Sequence, residues 1–324
     1  MATEHRLRLE NITEALKVID PVFLNSPQYV CEPLGADLGC HVTLKVETAN
    51  PIRCFKGRGG WYLIASRHRK GLLKGKRVVG ASAGNWGQAL AYACRAHGVP
   101  LTMFASVHAN PLKIDMMKAL GAEMILSGED FDASKLAAKA FAAETDGMML
   151  EDGLDPEASE GAGTMAVELM SAKIPPDVIL VPLGNGAMIT GIARWVKSVR
   201  PQTQVIGVQA SGADMMEKSW RQKSLIVGTR VNTIADGIGV RVPVPEALED
   251  MKGLVDDVML VDDSTIISAM QRIYRKAGLL VEPSAGASLA PLLEYPQRFK
   301  GANVATIMCG GNITDAQVRQ WLVT

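Results

Sequence analysis

The sequence is poor in the residues that build metal centres, disulfide frameworks and polyanion-binding surfaces. Its five cysteines (Cys31, Cys40, Cys54, Cys94 and Cys309) are odd in number and include no Cys-x-x-Cys pair, so neither a disulfide scaffold nor a zinc site is indicated. The five histidines include no pair three or four residues apart, which removes the helical signature of a metal hydrolase. Basic and acidic residues balance at 34 each. Nucleic-acid binding needs a basic excess, so no nucleic-acid partner is expected. No apolar run approaches the ~18 residues of a membrane span. The amino terminus, Met1-Ala2-Thr3-Glu4-His5-Arg6, leads into a charged stretch without an apolar signal core. The chain therefore reads as soluble and cytoplasmic, with no metal and no membrane partner.

What is present is an ordinary globular composition, 48% apolar and 21% charged over 324 residues. That length suits one large or two moderate domains. From residue 77 onward, short β-rich runs alternate with helical ones. The strand-like runs are 78–79, 101–104, 123–126, 178–181, 205–208 and 304–308; helical stretches are expected at 88–97, 111–120, 131–144 and 189–199. Strands apolar on both faces imply parallel sheets covered by helices, an α/β protein. One βα series ends in the loop Glu151-Asp152-Gly153-Leu154-Asp155-Pro156 and a second begins near residue 157. The segment before Phe55 carries a helix-like stretch at 12–19 and a strand candidate at 42–46, but periodicity does not say where it packs.

Ligands of open parallel sheets bind beyond the carboxyl ends of the strands, and four unusual segments stand there or just before helices. In Phe55-Lys56-Gly57 the lysine is either a surface residue or a Schiff-base amine. Gly80-Ala81-Ser82-Ala83-Gly84-Asn85-Trp86 is either an ordinary glycine-rich turn or a set of bare N–H groups for a carboxylate. Gly184-Asn185-Gly186-Ala187-Met188 lacks the third glycine of a dinucleotide fingerprint and the Gly-Lys-Ser/Thr of a P-loop. It remains a nest at a helix start suited to one phosphate. In Cys309-Gly310-Gly311-Asn312 the cysteine is either a small buried hydrophobe or a partner for a heterocycle nitrogen.

In this order the four segments resemble the pyridoxal-phosphate enzymes of the tryptophan-synthase β fold, in the serine/threonine dehydratase branch. The stretches Thr233-Ile234-Ala235-Asp236-Gly237-Ile238 and Val281-Glu282-Pro283-Ser284-Ala285-Gly286 are similar to the same branch. The resemblance implies two parallel-sheet α/β domains with pyridoxal 5′-phosphate in the cleft between them. Residues 1–54 and 157–324 would form the larger, cofactor-binding domain, and 55–156 a smaller, mobile one. It implies further that Lys56 holds the cofactor as a Schiff base and acts as catalytic base, with Phe55 beside the ring and Asn85 on its 3′-hydroxyl. Gly184, Asn185, Gly186, Ala187 and Met188 would hold the phosphate, and Cys309 would face the pyridine nitrogen. Ser82, Ala83, Gly84, Asn85 and Trp86 would grip the carboxylate of a small amino-acid substrate. A homodimer is implied as well.

The implied reaction is β-elimination of a β-hydroxy or β-amino α-amino acid to a 2-oxo acid and ammonia. The alternatives are a β/γ-replacement enzyme of the threonine-synthase or cysteine-synthase kind, a non-catalytic vitamin-B6-binding protein, and a nicotinamide dehydrogenase. Departures from the family pattern also carry expectations. Trp86 replaces the usual histidine, and Ala83 replaces the serine that serves the opposite face in racemases. Gln209 and Met215 stand where several relatives carry metal-binding carboxylates, and such oxygen ligands are what magnesium and calcium require. No regulatory domain follows, which suits a catabolic enzyme. Arg53, three residues before Lys56, is either a surface arginine or a fork for a second substrate carboxylate. The basic run from Arg67 to Arg77 reads as a solvated helix end and loop.

Overall fold

The computed structural model describes residues 5–109 and 111–323, so the first four positions of the amino-terminal reading lie outside the described residues. The strands are β1 (Gln28–Val30), β2 (His41–Val46), β3 (Val78–Ala81), β4 (Leu101–Ala105), β5 (Glu123–Leu126), β6 (Met148–Met149), β7 (Val178–Pro182), β8 (Gln204–Ala210), β9 (Asp257–Val261) and β10 (Asn303–Met308). They form a six-stranded sheet in the order β1-β2-β10-β7-β8-β9 and a four-stranded sheet in the order β5-β4-β3-β6. Every pairing is parallel except that of β1 with β2. The expected all-parallel arrangement therefore fails at one edge. There, β1 and β2 are separated by the short helix Glu32–Leu38, and β2 lies parallel to β10, 262 positions from His41 at the Asn303 pairing. That pairing also gives the amino-terminal segment its place, in the larger sheet.

Local sequence accounts for most elements. In β7 all five residues are buried, as are all four of β3, which requires cover on both faces. The helix Pro156–Met170 supplies part of it, lying between the helices Lys56–Arg69 and Ala187–Val199. These helices approach to backbone contact. A Cβ on Gly161 would stand 2.7 Å from the Arg58 carbonyl, and one on Gly59 would collide with the Ala158 carbonyl. The glycines after Lys56 thus let the start of its helix lie directly on its neighbour.

A buried ion cluster fixes that contact. Arg58 is fully buried and gives Nε to Glu47 at 2.8 Å and Nη1 to Glu168 at 2.7 Å, while Lys45 also pairs with Glu168. Removing one partner of such a cluster typically costs about 3–5 kcal/mol. The basic run after it departs from the solvated reading at its first member. Arg67 reaches Asp155 at 2.5 Å and Glu157 at 3.1 Å, tying the end of its helix to the start of Pro156–Met170.

Candidate active site

The carboxyl ends of β3, β7 and β10 open onto one cavity of about 620 Å³, within the range of small-molecule sites. Every position that the resemblance assigns to cofactor or substrate lines it: Phe55, Lys56, 82–86, 184–188 and Cys309. Arg53 does not. Its backbone adopts φ +52° in the turn before Lys56, its carbonyl accepts from the Gly311 N–H at 2.9 Å, and the residue is exposed away from the cavity lining. Exposure and absence from the lining favour the surface reading of Arg53 over the substrate fork.

Lys56 opens the helix Lys56–Arg69, and the preceding residue is pinned by the Phe55 N–H donating to the Cys309 carbonyl at 2.9 Å. The lysine segment and the β10 loop are thereby held together. Lys56 Nζ donates to both carboxylate oxygens of Asp152 at 2.7 Å and lies 4.6 Å from the centre of the Phe55 ring. In the sequence Asp152 stands in an inter-block loop, where no local signal marks it as the lysine's partner.

The nest at 184–188 begins the helix Ala187–Val199, whose first N–H groups have no intrahelical carbonyl to bond. Gly186 takes φ +93°, and a Cβ there would stand 2.9 Å from that of Ala247. The nest holds no lysine or arginine, so an anion bound there would rest on main-chain donors and the helix dipole.

Opposite it, Asn85 Nδ2 donates to Glu282 Oε1 at 2.8 Å, and the Asn312 N–H donates to Glu282 Oε2 at 3.2 Å. Burial, with Asp236 adding to it, pushes the Glu282 carboxyl up to about 7. Burial likewise holds the Cys309 thiol well above its ordinary range, with Glu282 reinforcing the effect. Cys309 is thus neutral at physiological pH and can face a heterocycle nitrogen without contributing charge. Glu282 was quoted in the sequence only as part of a family-like stretch; its contact with Asn85 spans 197 positions.

Charged pairs close the rim. Lys113, from the helix Pro111–Ala119, reaches Asp236 at 2.5 Å, and Arg241 pairs with Asp132. Two polar groups lining the cavity, Ser284 Oγ and Trp86 Nε1, are buried without a protein partner. Buried donors in that state call for a ligand or ordered water. An amine, an unencumbered anion nest, a neutral thiol and orphan donors on one cavity fit a phosphorylated aromatic aldehyde. Among the described residues no group of three or more His, Cys, Asp or Glu is placed to hold a metal ion.

The fold and site define a pyridoxal-phosphate enzyme built on two largely parallel sheets. Residues 19–310 match the family of pyridoxal-phosphate dependent enzymes, and the chain belongs to it. It is 31% identical to the biosynthetic L-threonine dehydratase of Lactococcus lactis, over 94% of this chain and 74% of that one. It is also 31% identical to the catabolic L-threonine dehydratase of Staphylococcus aureus, over 97% of this chain and 91% of the relative. Among solved structures, maize serine racemase superposes with a TM-score of 0.90 at 27% identity, covering 97% of this chain and 96% of its own.

Proposed function

We propose that the protein carries out pyridoxal-phosphate-dependent β-elimination on α-amino acids of the threonine or serine type, giving a 2-oxo acid and ammonia. The observation that carries this reading is the meeting of Lys56 Nζ, the anion nest at 184–188 and the loop 82–86 on one cavity. The threonine dehydratases of L. lactis and S. aureus support the reaction class. The residues named above would hold the cofactor: Lys56 covalently, 184–188 at the phosphate, Asn85 and Cys309 at the ring. When bound, the cofactor supplies an electron sink for a carbanion at the substrate Cα.

The chain's own part is orientation and proton transfer. The loop 82–86 and the amino end of the helix Asn85–Ala96 orient the substrate carboxylate with backbone N–H groups. Lys56 would take the substrate's Cα proton at Nζ. The resulting Lys56 ammonium, beside Asp152, would hand that proton to the departing β-hydroxyl, which leaves as water. Cys309, being neutral, would add no positive charge beside the ring nitrogen of the cofactor. The freed enamine is hydrolysed by water to the 2-oxo acid and ammonia.

The test is release of 2-oxo acid and ammonia from L-serine and L-threonine by cofactor-loaded protein. Incorporation of an added thiol in place of release would favour a replacement enzyme, and cofactor binding without turnover would favour a vitamin-binding protein. We further propose that the protein works as a homodimer in the cytoplasm. The five cysteines, all free and buried, support a reducing compartment, and the mass in solution tests the dimer.

A further inference from the structure

We propose that Asp152, together with the rings of Phe55 and Trp86, forms a subsite for a second ammonium group on the substrate. The preferred substrate class is then an α-amino acid bearing an ammonium at Cβ, of which 2,3-diaminopropionate is the smallest. This inference rests on the β-elimination reading and names the substrate within it.

The subsite is displayed by its present occupant. The Lys56 ammonium donates to both oxygens of Asp152 at 2.7 Å, 4.6 Å from the centre of the Phe55 ring and 6.0 Å from that of Trp86. A carboxylate combined with aromatic faces is a general recognition device for cations. The other acids on the wall are engaged elsewhere: Asp236 with Lys113, Asp130 and Asp132 with Arg241, Glu151 with Lys135 and Lys139, and Glu282 with Asn85 and Asn312. Asp152 is held by the one nitrogen that the reaction commits to the cofactor. Its side chain is 12% exposed, so water replaces that cation poorly, and an incoming ammonium replaces it well. A second carboxylate on the substrate would instead meet Asp152 at like charge, and Arg53, which could have welcomed it, is exposed and does not line the cavity.

The chemistry closes without an additional acid. Lys56 takes the Cα proton, the Cα–Cβ double bond forms, and the Cβ–N bond breaks with its electron pair passing to nitrogen. Ammonia departs with the three hydrogens it already carried, whereas a hydroxyl would need a proton to leave as water. Lys56 returns its proton to solvent, and the enamine takes up a proton and a water on hydrolysis. One diaminopropionate and one water give one pyruvate and two ammonia.

The experiment uses cofactor-loaded enzyme and three analogues that lack a Cα hydrogen and so bind without turnover: α-methyl-2,3-diaminopropionate, α-methylserine and α-methylaspartate. Binding is read from the change in visible absorption of the bound cofactor. The diamino analogue is expected to bind about tenfold or more tightly than α-methylserine, and α-methylaspartate most weakly. In Asp152→Asn all affinities change, and the preference for the diamino analogue collapses to within about threefold. Equal affinity of the parent enzyme for the first two analogues would overturn the inference without recourse to the variant, as would an undiminished preference in Asp152→Asn. Failure of the cofactor to attach to Lys56 in the parent would overturn the functional reading and this inference with it. Attachment with a flat or reversed affinity order would overturn the inference alone.

Discussion

Asn85 and Glu282 share a hydrogen bond of 2.8 Å across the cavity floor, and its polarity is fixed from both ends. Asn312 Nδ2 donates to the Ile52 carbonyl at 3.0 Å and to Asn85 Oδ1 at 2.7 Å, so the Asn85 oxygen must face Asn312 and its nitrogen must face Glu282. When ionised, above about pH 7, Glu282 accepts at both oxygens, since the Asn312 N–H takes the second. A glutamine there must turn an N–H toward one of these donors. Glu282→Gln is therefore expected to weaken cofactor binding by about tenfold, ~1.4 kcal/mol, in an equilibrium titration, through a misplaced Asn85.

A second buried carboxyl gives the fold a pH dependence. Glu160 accepts from the Arg8 N–H and from Asn11 Nδ2 at 2.9 Å each, its other oxygen has no partner, and burial pushes it up to about 7. The folded protein thus keeps this proton in a window, from the ordinary carboxylate value to about 7, where the unfolded chain has lost it. Stability falls as pH rises through that window and levels off above it. Chemical denaturation at pH 5 and pH 8 is expected to show Glu160→Gln gaining on the parent at the higher pH, by at most about 3 kcal/mol. A constant difference between the two would mean the carboxyl is charged throughout.

The anion nest depends on close backbone approach. At Gly186 an aspartate would impose a side chain on φ +93°, crowd Ala247 and set a negative charge beside the phosphate. Cofactor affinity in Gly186→Asp should drop by about tenfold or more, and an unchanged titration would place the phosphate elsewhere.

Ala83 lines the cavity, and the resemblance to racemases implies that a hydroxyl at this position would serve the face opposite Lys56. With no acid at that position, L-serine should yield pyruvate much faster than D-serine, and Ala83→Ser should raise the share of D-serine. Equal formation of the two products by the parent would contradict this. In addition, Gln209 is buried with Oε1 accepting from the Glu217 N–H at 3.0 Å. A chelator should therefore leave turnover largely unchanged.

The parts of the site that were legible in the sequence are those built locally. The segments at 82–86 and 184–188 join a buried strand to a helix through small residues, and that pattern is written in adjacent positions. Strands β3, β4, β5 and β7 were legible for a similar reason, as short apolar runs beside long helices. Asp152 was not, because its partner lies 96 positions away and an acid in a polar loop looks like any other. Arg53 was open to two readings because spacing along the chain does not say whether a residue in a positive-φ turn lines a cavity. Arg67 gave no sign of Asp155 and Glu157, 88 and 90 residues on. The β2–β10 pairing was hidden because parallel partners need no proximity in sequence.

The central claim is that Lys56 carries the cofactor. It is tested most directly by reducing the cofactor-loaded protein with borohydride, digesting it and locating the modified peptide by mass. The expected result is a pyridoxyl-phosphate group on Lys56, absent from Lys56→Ala together with visible absorption and turnover. A modification found on another lysine, such as Lys113 on the same cavity, or full activity of Lys56→Ala without added amine, would contradict the account.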